Sequence, residues 1–123
     1  MQLTLSVLPK TWIFDLDGTL VEHNGYKSGN DKLLPGVREF WSQIPETDYI
    51  LILTARENAA HDKTVEFLNQ NHIRFDKIIF EMPMGERILI NDDKPSGLPM
   101  AFSVRPKRND GLKDLTIKID ESL

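Results

Sequence analysis

Cysteine is absent from this 123-residue chain, which excludes disulfides and thiolate zinc sites. An excess of basic charge is absent too: 15 Lys and Arg stand against 19 Asp and Glu, and the net charge of -4 argues against a nucleic-acid partner. No apolar run approaches the ~20 residues of a membrane helix, and no signal-peptide pattern opens the chain. We therefore expect a cytoplasmic protein with no membrane partner, folded as a single domain over residues 1–123.

Short apolar runs alternate with amphipathic segments along the chain, a pattern typical of β-α-β units and a mostly parallel sheet. Strands are predicted over residues 11–14, 49–53 (apolar enough to be buried on both faces), 77–80, 87–90 and 101–104, with a half-buried edge strand over 115–119. Helices are predicted over 35–44 and about 57–71. The polar, turn-rich stretch 21–35 predicts a hairpin or a loop.

Polar side chains follow three of these strands, in the clusters Asp15/Asp17, Thr54/Arg56 and Asp92/Asp93. The carboxyl ends of parallel strands gather at one edge of a sheet, so we expect the three clusters to meet in space. Asp15 and Asp17 are two residues apart and point the same way if the strand continues. Two adjacent carboxylates repel, so they need a cation, a shared proton or a division of roles. Mg²⁺ is the natural partner, and Asp92 would complete its ligands.

Each acidic cluster also has a structural interpretation. Asp and Gly both favour turns, so an Asp-x-Asp-Gly sequence occurs at turns without any function. A calcium loop is excluded, because Gly18 directly follows Asp17. Asp92 and Asp93 could form a strand-ending turn before Pro95. The convergence of both clusters with Thr54 favours the functional interpretation.

The segment Asp15-Leu16-Asp17-Gly18-Thr19-Leu20 resembles the first motif of the haloacid dehalogenase (HAD) superfamily. Thr54 at a strand end resembles the second motif of that superfamily, and Asp92-Asp93 resembles the fourth. Residues 85–97 are similar to a branch of small capless HAD phosphatases found with bacterial surface-polysaccharide genes. The resemblance implies an α/β, three-layer Rossmann-like fold with a mostly parallel sheet, a hairpin flap over residues 21–34 and no cap domain.

The resemblance also implies a phosphoaspartyl mechanism. Asp15 would attack phosphorus, and Asp17 would protonate the leaving oxygen and later act as general base. Mg²⁺ would be held by the Asp15 carboxylate, the Asp17 backbone carbonyl and Asp92, with Asp93 either a direct ligand or a second-sphere acceptor. The Thr54 hydroxyl and backbone N–H groups around Gly18 would bind the phosphoryl oxygens.

The cation that neutralises the phosphoryl group has more than one candidate. Lys94 lies at the ligand-facing edge by the strand argument, and Arg87 is favoured by its position in the phosphatase branch. Lys77 has the more usual separation from the fourth motif, but it begins its strand. Any of the three could instead be an ordinary exposed cation. Arg56 could contact a substrate phosphate or carboxylate, or be a solvated residue at a helix start.

The predicted function is a Mg²⁺-dependent phosphomonoester hydrolase acting on a small phosphorylated substrate, a sugar or polyol phosphate of surface-polysaccharide biosynthesis. Capless relatives act on large substrates or close the site with a neighbouring subunit, so a homo-oligomer is one expectation. The alternatives are a capless polynucleotide-end phosphatase and a non-catalytic Mg²⁺-binding regulatory module. The acidic balance weighs against the first alternative, since binding a phosphate backbone needs clustered Lys and Arg. The basic residues near the C-terminus are expected to form a solvated face: Lys107, Arg108 and Lys113.

Overall fold

The structure is a computed structural model that describes residues 1–123. Five strands and two α-helices follow one another in the order β1 (Gln2–Leu5), β2 (Thr11–Asp15), α1 (Val37–Trp41), β3 (Tyr49–Leu53), α2 (His61–Gln70), β4 (Lys77–Ile79) and β5 (Thr116–Ile119). Two 3₁₀ turns, Gly25–Ser28 and Asn58–Ala60, lie between them. None of the helices has the length and apolar character that crossing a membrane requires.

The strands form two parallel sheets. The larger has the order β2-β3-β4, with Asp15 paired to Leu53 and Leu53 to Ile79. In the smaller, β1 pairs with β5 in parallel, Leu3 lying opposite Ile117. The predicted α/β class with parallel strands is confirmed. The sequence pattern did not reveal β1, whose partner lies more than 100 residues further along the chain.

The core lies between the larger sheet and α1. Phe14 of β2 packs against Phe40 and Trp41 of α1, with ring centroids 6.2 and 4.4 Å apart, and Ile50 and Ile52 of β3 are fully buried. Burial of such side chains stabilises the fold by about 2 kcal/mol each. The residues of β3 between and beyond these two are half-buried or exposed, so only one face of this strand is fully covered, not both as predicted.

The predicted helices are both present but shorter. The first helix is confined to Val37–Trp41, because the next backbone bonds reach back three residues instead of four: Gln43 N–H donates to the Phe40 carbonyl at 2.9 Å and Ile44 N–H to the Trp41 carbonyl at 3.2 Å. The second helix begins at His61, after the 3₁₀ turn Asn58–Ala60.

The strand predictions over 87–90 and 101–104 are wrong. Neither segment forms a strand, and no backbone N–H from Met84 to Asp93 donates a hydrogen bond. The local apolar pattern predicts a strand, but a strand also needs a neighbour in register. The Arg87 side chain contacts Asp15 at the carboxyl end of β2. A parallel strand beginning at Arg87 would need that residue at the amino end of β2, so the observed contact is incompatible with the predicted pairing.

Residues 21–34 form a loop closed at its base, not a hairpin with paired strands. An isolated antiparallel bridge joins Val21 to Leu33, and the N–H of Leu34 donates to the Leu20 carbonyl at 2.9 Å. Leu20 and Val21 are fully buried, which fixes the base of the loop to the core. The loop therefore leaves and re-enters the core beside the carboxyl end of β2.

Candidate functional site

Two of the three predicted clusters meet at the carboxyl edge of the larger sheet. Asp15 and Leu53 are paired residues at the ends of β2 and β3, so Thr54 follows beside Asp15. The Thr54 N–H donates to the Ile79 carbonyl at 2.9 Å, and the Thr54 carbonyl accepts from Met82 N–H at 3.0 Å. Both backbone groups of Thr54 are thus fixed by β4 and the residues after it. The prediction that three clusters meet is therefore confirmed for Asp15/Asp17 and Thr54/Arg56, but it is wrong for Asp92/Asp93.

Asp15 is accessible to an incoming molecule. Its side chain is 39% exposed, and its two oxygens accept separate hydrogen bonds: Oδ2 from Thr19 Oγ1 and Oδ1 from Arg87 Nη1, both at 3.0 Å. Arg87 is itself more than one third exposed. Ion pairs between exposed groups contribute only about 0–1 kcal/mol, so an arriving ligand can displace Arg87.

The chain turns sharply after β2 over residues 16–21, here called the Gly18 turn. The Leu16 carbonyl lies within hydrogen-bond distance of the N–H groups of Thr19, Leu20 and Val21 at 2.9–3.3 Å. The Gly18 N–H donates to the Val21 carbonyl at 2.7 Å, so the N–H of Gly18 itself is not free for a phosphoryl oxygen.

Donors without an acceptor gather at the same sheet edge. The backbone N–H groups of Leu16, Asp17 and Ala55 donate to no acceptor in the protein. The Thr54 hydroxyl accepts from the Arg56 N–H at 3.1 Å and donates to nothing, although Thr54 is only 1% exposed. Convergent unpaired donors make a site for an anion. Thr54 lies beside Asp15 with a free donor, and its phosphoryl-binding role stays a prediction.

Arg56 uses every N–H donor of its guanidinium group. Nε and Nη2 donate to the two oxygens of Asp17 at 3.0 and 2.9 Å, and Nη1 and Nη2 donate to the two oxygens of Asp31 at 3.0 and 2.7 Å. The fifth N–H donates to Thr64 Oγ1 at 2.8 Å. A guanidinium has five N–H groups, so none is left for a substrate. The predicted contact of Arg56 with a substrate anion therefore finds no free donor here.

The Arg56 cluster joins four parts of the chain: the segment after β3, the Gly18 turn, the loop 21–34 and α2. Its guanidinium carbon lies 4.1 Å from the centroid of the Tyr26 ring, and its side chain is 1% exposed. Burial by itself lowers the pKa of Arg56, but hydrogen bonds to Asp17 and Asp31, together with their charges, raise that pKa above its ordinary value. Arg56 thus stays charged across the physiological pH range and ties the loop 21–34 to the site.

Asp92 and Asp93 lie apart from the first two clusters. Together with Asn91, Lys94, Pro95 and Met100 they line a shallow cavity of about 240 Å³, and all six residues are exposed. No group of three or more His, Cys, Asp or Glu side chains is close enough to hold a metal. The structure thus places Lys94 with Asp92 and Asp93 and not with Asp15. Lys77 opens β4 opposite Leu51, away from the carboxyl edge.

The arrangement does not fit the expected Mg²⁺ site. Both carboxylate oxygens of Asp15 accept hydrogen bonds from Thr19 and Arg87, and no third acidic side chain joins Asp15 and Asp17 in a group that could hold a metal. The Asp17 backbone carbonyl, the remaining expected ligand, accepts no hydrogen bond. Each Asp15 oxygen that would face the ion thus already faces a hydrogen-bond donor.

Three further residues belong to the site although no sequence pattern singles them out: Tyr26, Asp31 and Thr64. They contact Arg56 from the loop 21–34 and from α2, and no motif marks them. Only the balance of charge could have indicated Asp31. Once Arg56 and Asp17 are placed together in a buried position, a second carboxylate beside the arginine can be expected.

The chain matches no family model, no curated protein and no solved structure. The functional interpretation depends on the residues of the site and their geometry.

Proposed function

We propose that this protein is a phosphomonoester hydrolase that works through an aspartyl-phosphate intermediate on Asp15. The observation that carries the proposal is an exposed carboxylate at a strand end beside four unpaired donors, the N–H groups of Leu16, Asp17 and Ala55 and the Thr54 hydroxyl. A carboxylate oxygen of Asp15 attacks phosphorus, the bond from phosphorus to the ester oxygen breaks, and the alcohol leaves with a proton. Water then attacks the phosphoryl group and releases phosphate and the free carboxylate.

The unpaired donors supply what the first step needs. Charge spreads over the three non-bridging phosphoryl oxygens in the transition state, so fixed donors aimed at those oxygens lower the barrier. Backbone donors at the ends of packed strands are held in place before the substrate arrives. The Thr54 hydroxyl is held likewise, because its oxygen accepts from Arg56 N–H.

Asp17 is the proposed proton-transfer residue, and Arg56 restrains it. Both Asp17 oxygens accept from Arg56, so a proton on either oxygen would place a hydrogen against an N–H donor. Asp17 can protonate a leaving group only after one of its oxygens leaves Arg56. Arg56 keeps its bonds to Asp31 and Thr64 during that movement, so the guanidinium stays fixed while the carboxylate turns.

Mg²⁺ dependence and the HAD-like three-layer fold remain part of the proposal, supported by the resemblance of the motifs. Since the carboxylates observed here do not fit the ion, the steps above use only the residues of the chain. A Mg²⁺ site that includes Asp92 or Asp93 requires the segment 82–106 to take another path.

The substrate class is supported by the resemblance to small capless phosphatases and by the openness of the site. Asp15 is 39% exposed, and the connection between β2 and α1 offers only the loop 21–34 to cover it. We propose a sugar or polyol phosphate, with a second copy of the chain closing the site over so small a substrate.

The proposal is tested by turnover of an aryl phosphate and of a panel of sugar, polyol and 3′-nucleotide phosphates, with and without Mg²⁺. The variant Asp15→Asn should lose at least a thousandfold in kcat. Asp120→Asn is the matched control, because it makes the same exchange beside β5 in the other sheet and should leave turnover unchanged. Turnover that survives in Asp15→Asn would remove the mechanism. A wild-type protein that binds Mg²⁺ but hydrolyses no ester would favour a regulatory module instead.

A further inference from the structure

A third arginine, Arg108, lies at the site, on a turn whose basic residues were expected to form a solvated face. The turn is formed by residues 107–110, with the Asp110 N–H donating to the Lys107 carbonyl at 3.1 Å. Asn109 fixes this turn to the residues after β2: its N–H donates to the Gly18 carbonyl at 2.8 Å, and its Oδ1 accepts from His23 N–H at 2.9 Å. The turn is exposed to solvent, yet it is held by one contact to Gly18 and one to His23.

The side chain of Arg108 lies across the bare backbone of Gly18. A Cβ built on Gly18 would be 3.2 Å from Arg108 Cγ and 3.6 Å from Arg108 Nε. Gly18 has a φ of +85°, a conformation that side chains with a Cβ rarely adopt. The absence of a side chain thus serves two purposes here: it permits the turn after Asp17, and it leaves room for an arginine beside it.

The guanidinium of Arg108 is unpaired. It makes no ion pair and no hydrogen bond with any residue, whereas Arg56 has no free donor and Arg87 donates to Asp15. Three carboxylates meet at this edge, those of Asp15, Asp17 and Asp31, and two guanidinium groups pair with them. The paired groups therefore leave a net negative charge. A phosphate dianion approaching Asp15 needs a further cation, and Arg108 is the free one beside the Gly18 turn.

We propose that Arg108 is a substrate-binding residue that contacts a non-bridging oxygen of the phosphoryl group at Asp15. The identity of the substrate in this inference rests on the proposed function. The binding chemistry does not, because it is the general pairing of an arginine with a phosphate. A planar guanidinium suits two phosphate oxygens at once, so lysine replaces it only in part. The position of Arg108 is set by the 107–110 turn and therefore depends on Asn109.

The experiment compares Arg108→Ala, Arg108→Lys and Asn109→Gly with the matched control Lys107→Ala, which removes a neighbouring exposed cation from the same turn. Hydrolysis of an aryl phosphate and competition by inorganic phosphate are measured for each. Arg108→Ala should lower kcat/KM about 10- to 100-fold and weaken phosphate inhibition by a similar factor. Arg108→Lys and Asn109→Gly should be intermediate, since glycine keeps the positive φ at 109 but loses the contact with His23. Lys107→Ala should match the wild type.

Calorimetric titration with inorganic phosphate separates this inference from the proposed function. In one outcome, the wild type hydrolyses esters and Asp15→Asn does not, but Arg108→Ala and Lys107→Ala have the same turnover and the same phosphate affinity. Arg108 then has no binding role, and only this inference fails. If the wild type hydrolyses nothing but binds phosphate, and Arg108→Ala loses that binding, the phosphatase proposal fails and the anion site stands. Equal phosphate binding by all variants overturns the role of Arg108 whatever the turnover. Thermal unfolding of each variant identifies any loss that comes from the fold.

Discussion

At the residue scale, the two arginines that pair with carboxylates at the site contribute differently to the stability of the fold. Arg87 and Asp15 are both more than one third exposed, so water screens their pair and a ligand can replace it. Arg56 is 1% exposed, and the Asp17 and Asp31 side chains are only 17% and 12% exposed. Removing one partner of such a buried group leaves uncompensated charge, which is far costlier than losing an exposed pair. The Arg87–Asp15 pair can therefore separate when a ligand binds, whereas Arg56 holds Asp17 and Asp31 in fixed positions.

Substitution of Arg56 should therefore destabilise the fold. Arg56→Ala leaves two carboxylates facing each other, and we expect a loss of about 3 kcal/mol in the free energy of unfolding. Thr64→Val removes one hydrogen bond from the same guanidinium and should cost about 1 kcal/mol. Urea unfolding monitored by tryptophan fluorescence measures both.

The charge argument for Arg56 has its own control. If repulsion between Asp17 and Asp31 causes the loss, then Arg56→Ala should be less destabilising when Asp31→Asn has removed one of the two charges. Equal losses in both backgrounds would show that packing, not charge, makes Arg56 important.

Thr54 should affect turnover more than stability. Thr54→Val keeps the shape of the side chain but removes the hydroxyl, which donates to no protein group. The loss of one fixed donor to the transition state lowers kcat about 100-fold. Steady-state kinetics on an aryl phosphate measures the effect, with Thr4→Val, the same exchange at an exposed residue of β1 in the other sheet, as the matched control. A Thr54→Val enzyme with wild-type kcat would remove the hydroxyl from the site.

At the element scale, the strands and the segments between them differ in how firmly they are held. The larger sheet fixes Asp15 and Thr54 through its register and its bonds to β4. From Met84 to Asp93, by contrast, no backbone N–H donates a hydrogen bond, and Ile88 and Ile90 are 78% and 90% exposed. Segments with few buried contacts open at low free-energy cost.

Trypsin should cleave the native protein first after Arg87. Within residues 82–106 the other basic residues are Lys94 and Arg105, and each precedes proline, where trypsin does not cut. If Mg²⁺ gathers Asp92 and Asp15, the segment must become ordered, so saturating Mg²⁺ should slow this cleavage severalfold. Mass spectrometry of the early fragments measures both effects, with Ca²⁺ and EDTA as controls. A rate that Mg²⁺ leaves unchanged contradicts a metal site that includes Asp92.

A close backbone contact joins the C-terminal segment to the start of α1. The Leu112 N–H donates to the Pro35 carbonyl at 2.8 Å, and a Cβ on Gly111 would lie 2.0 Å from that carbonyl oxygen. Gly111→Ala should therefore lower the free energy of unfolding by about 2 kcal/mol or more. Gly29→Ala is the control, because Gly29 has a similar positive φ with nothing within 4 Å of its Cβ position. Equal losses in the two variants would mean that φ alone matters and that this contact does not.

At the scale of the whole molecule, local patterns predicted some features and missed others for identifiable reasons. Parallel pairing made the meeting of Asp15 and Thr54 predictable, because both end buried strands. The path of residues 87–90 was not predictable, because an apolar run becomes a strand only beside a free edge in register. The contact of Asp31 with Arg56 depends on how the loop 21–34 crosses the site, and no residue pattern encodes that path.

The acidic balance of the molecule also has a local explanation. Part of the net charge of -4 comes from carboxylates at one sheet edge, where paired arginines compensate most of their charge. Three carboxylates pair with two guanidinium groups there, so a net negative charge is left at the site. A small dianionic ester therefore needs a further cation at the site, and Arg108 is the unpaired one beside the Gly18 turn.

The most direct test of the central claim is detection of a phosphoryl group on Asp15. The protein is mixed with excess aryl phosphate in the presence of Mg²⁺, quenched in acid within one turnover and digested with pepsin, since acyl phosphates survive briefly at low pH. Mass spectrometry should find the added mass of one phosphoryl group on the peptide that contains Asp15, and none in Asp15→Asn. Wild-type turnover with no such adduct at any quench time, or an adduct on another residue, would contradict the account.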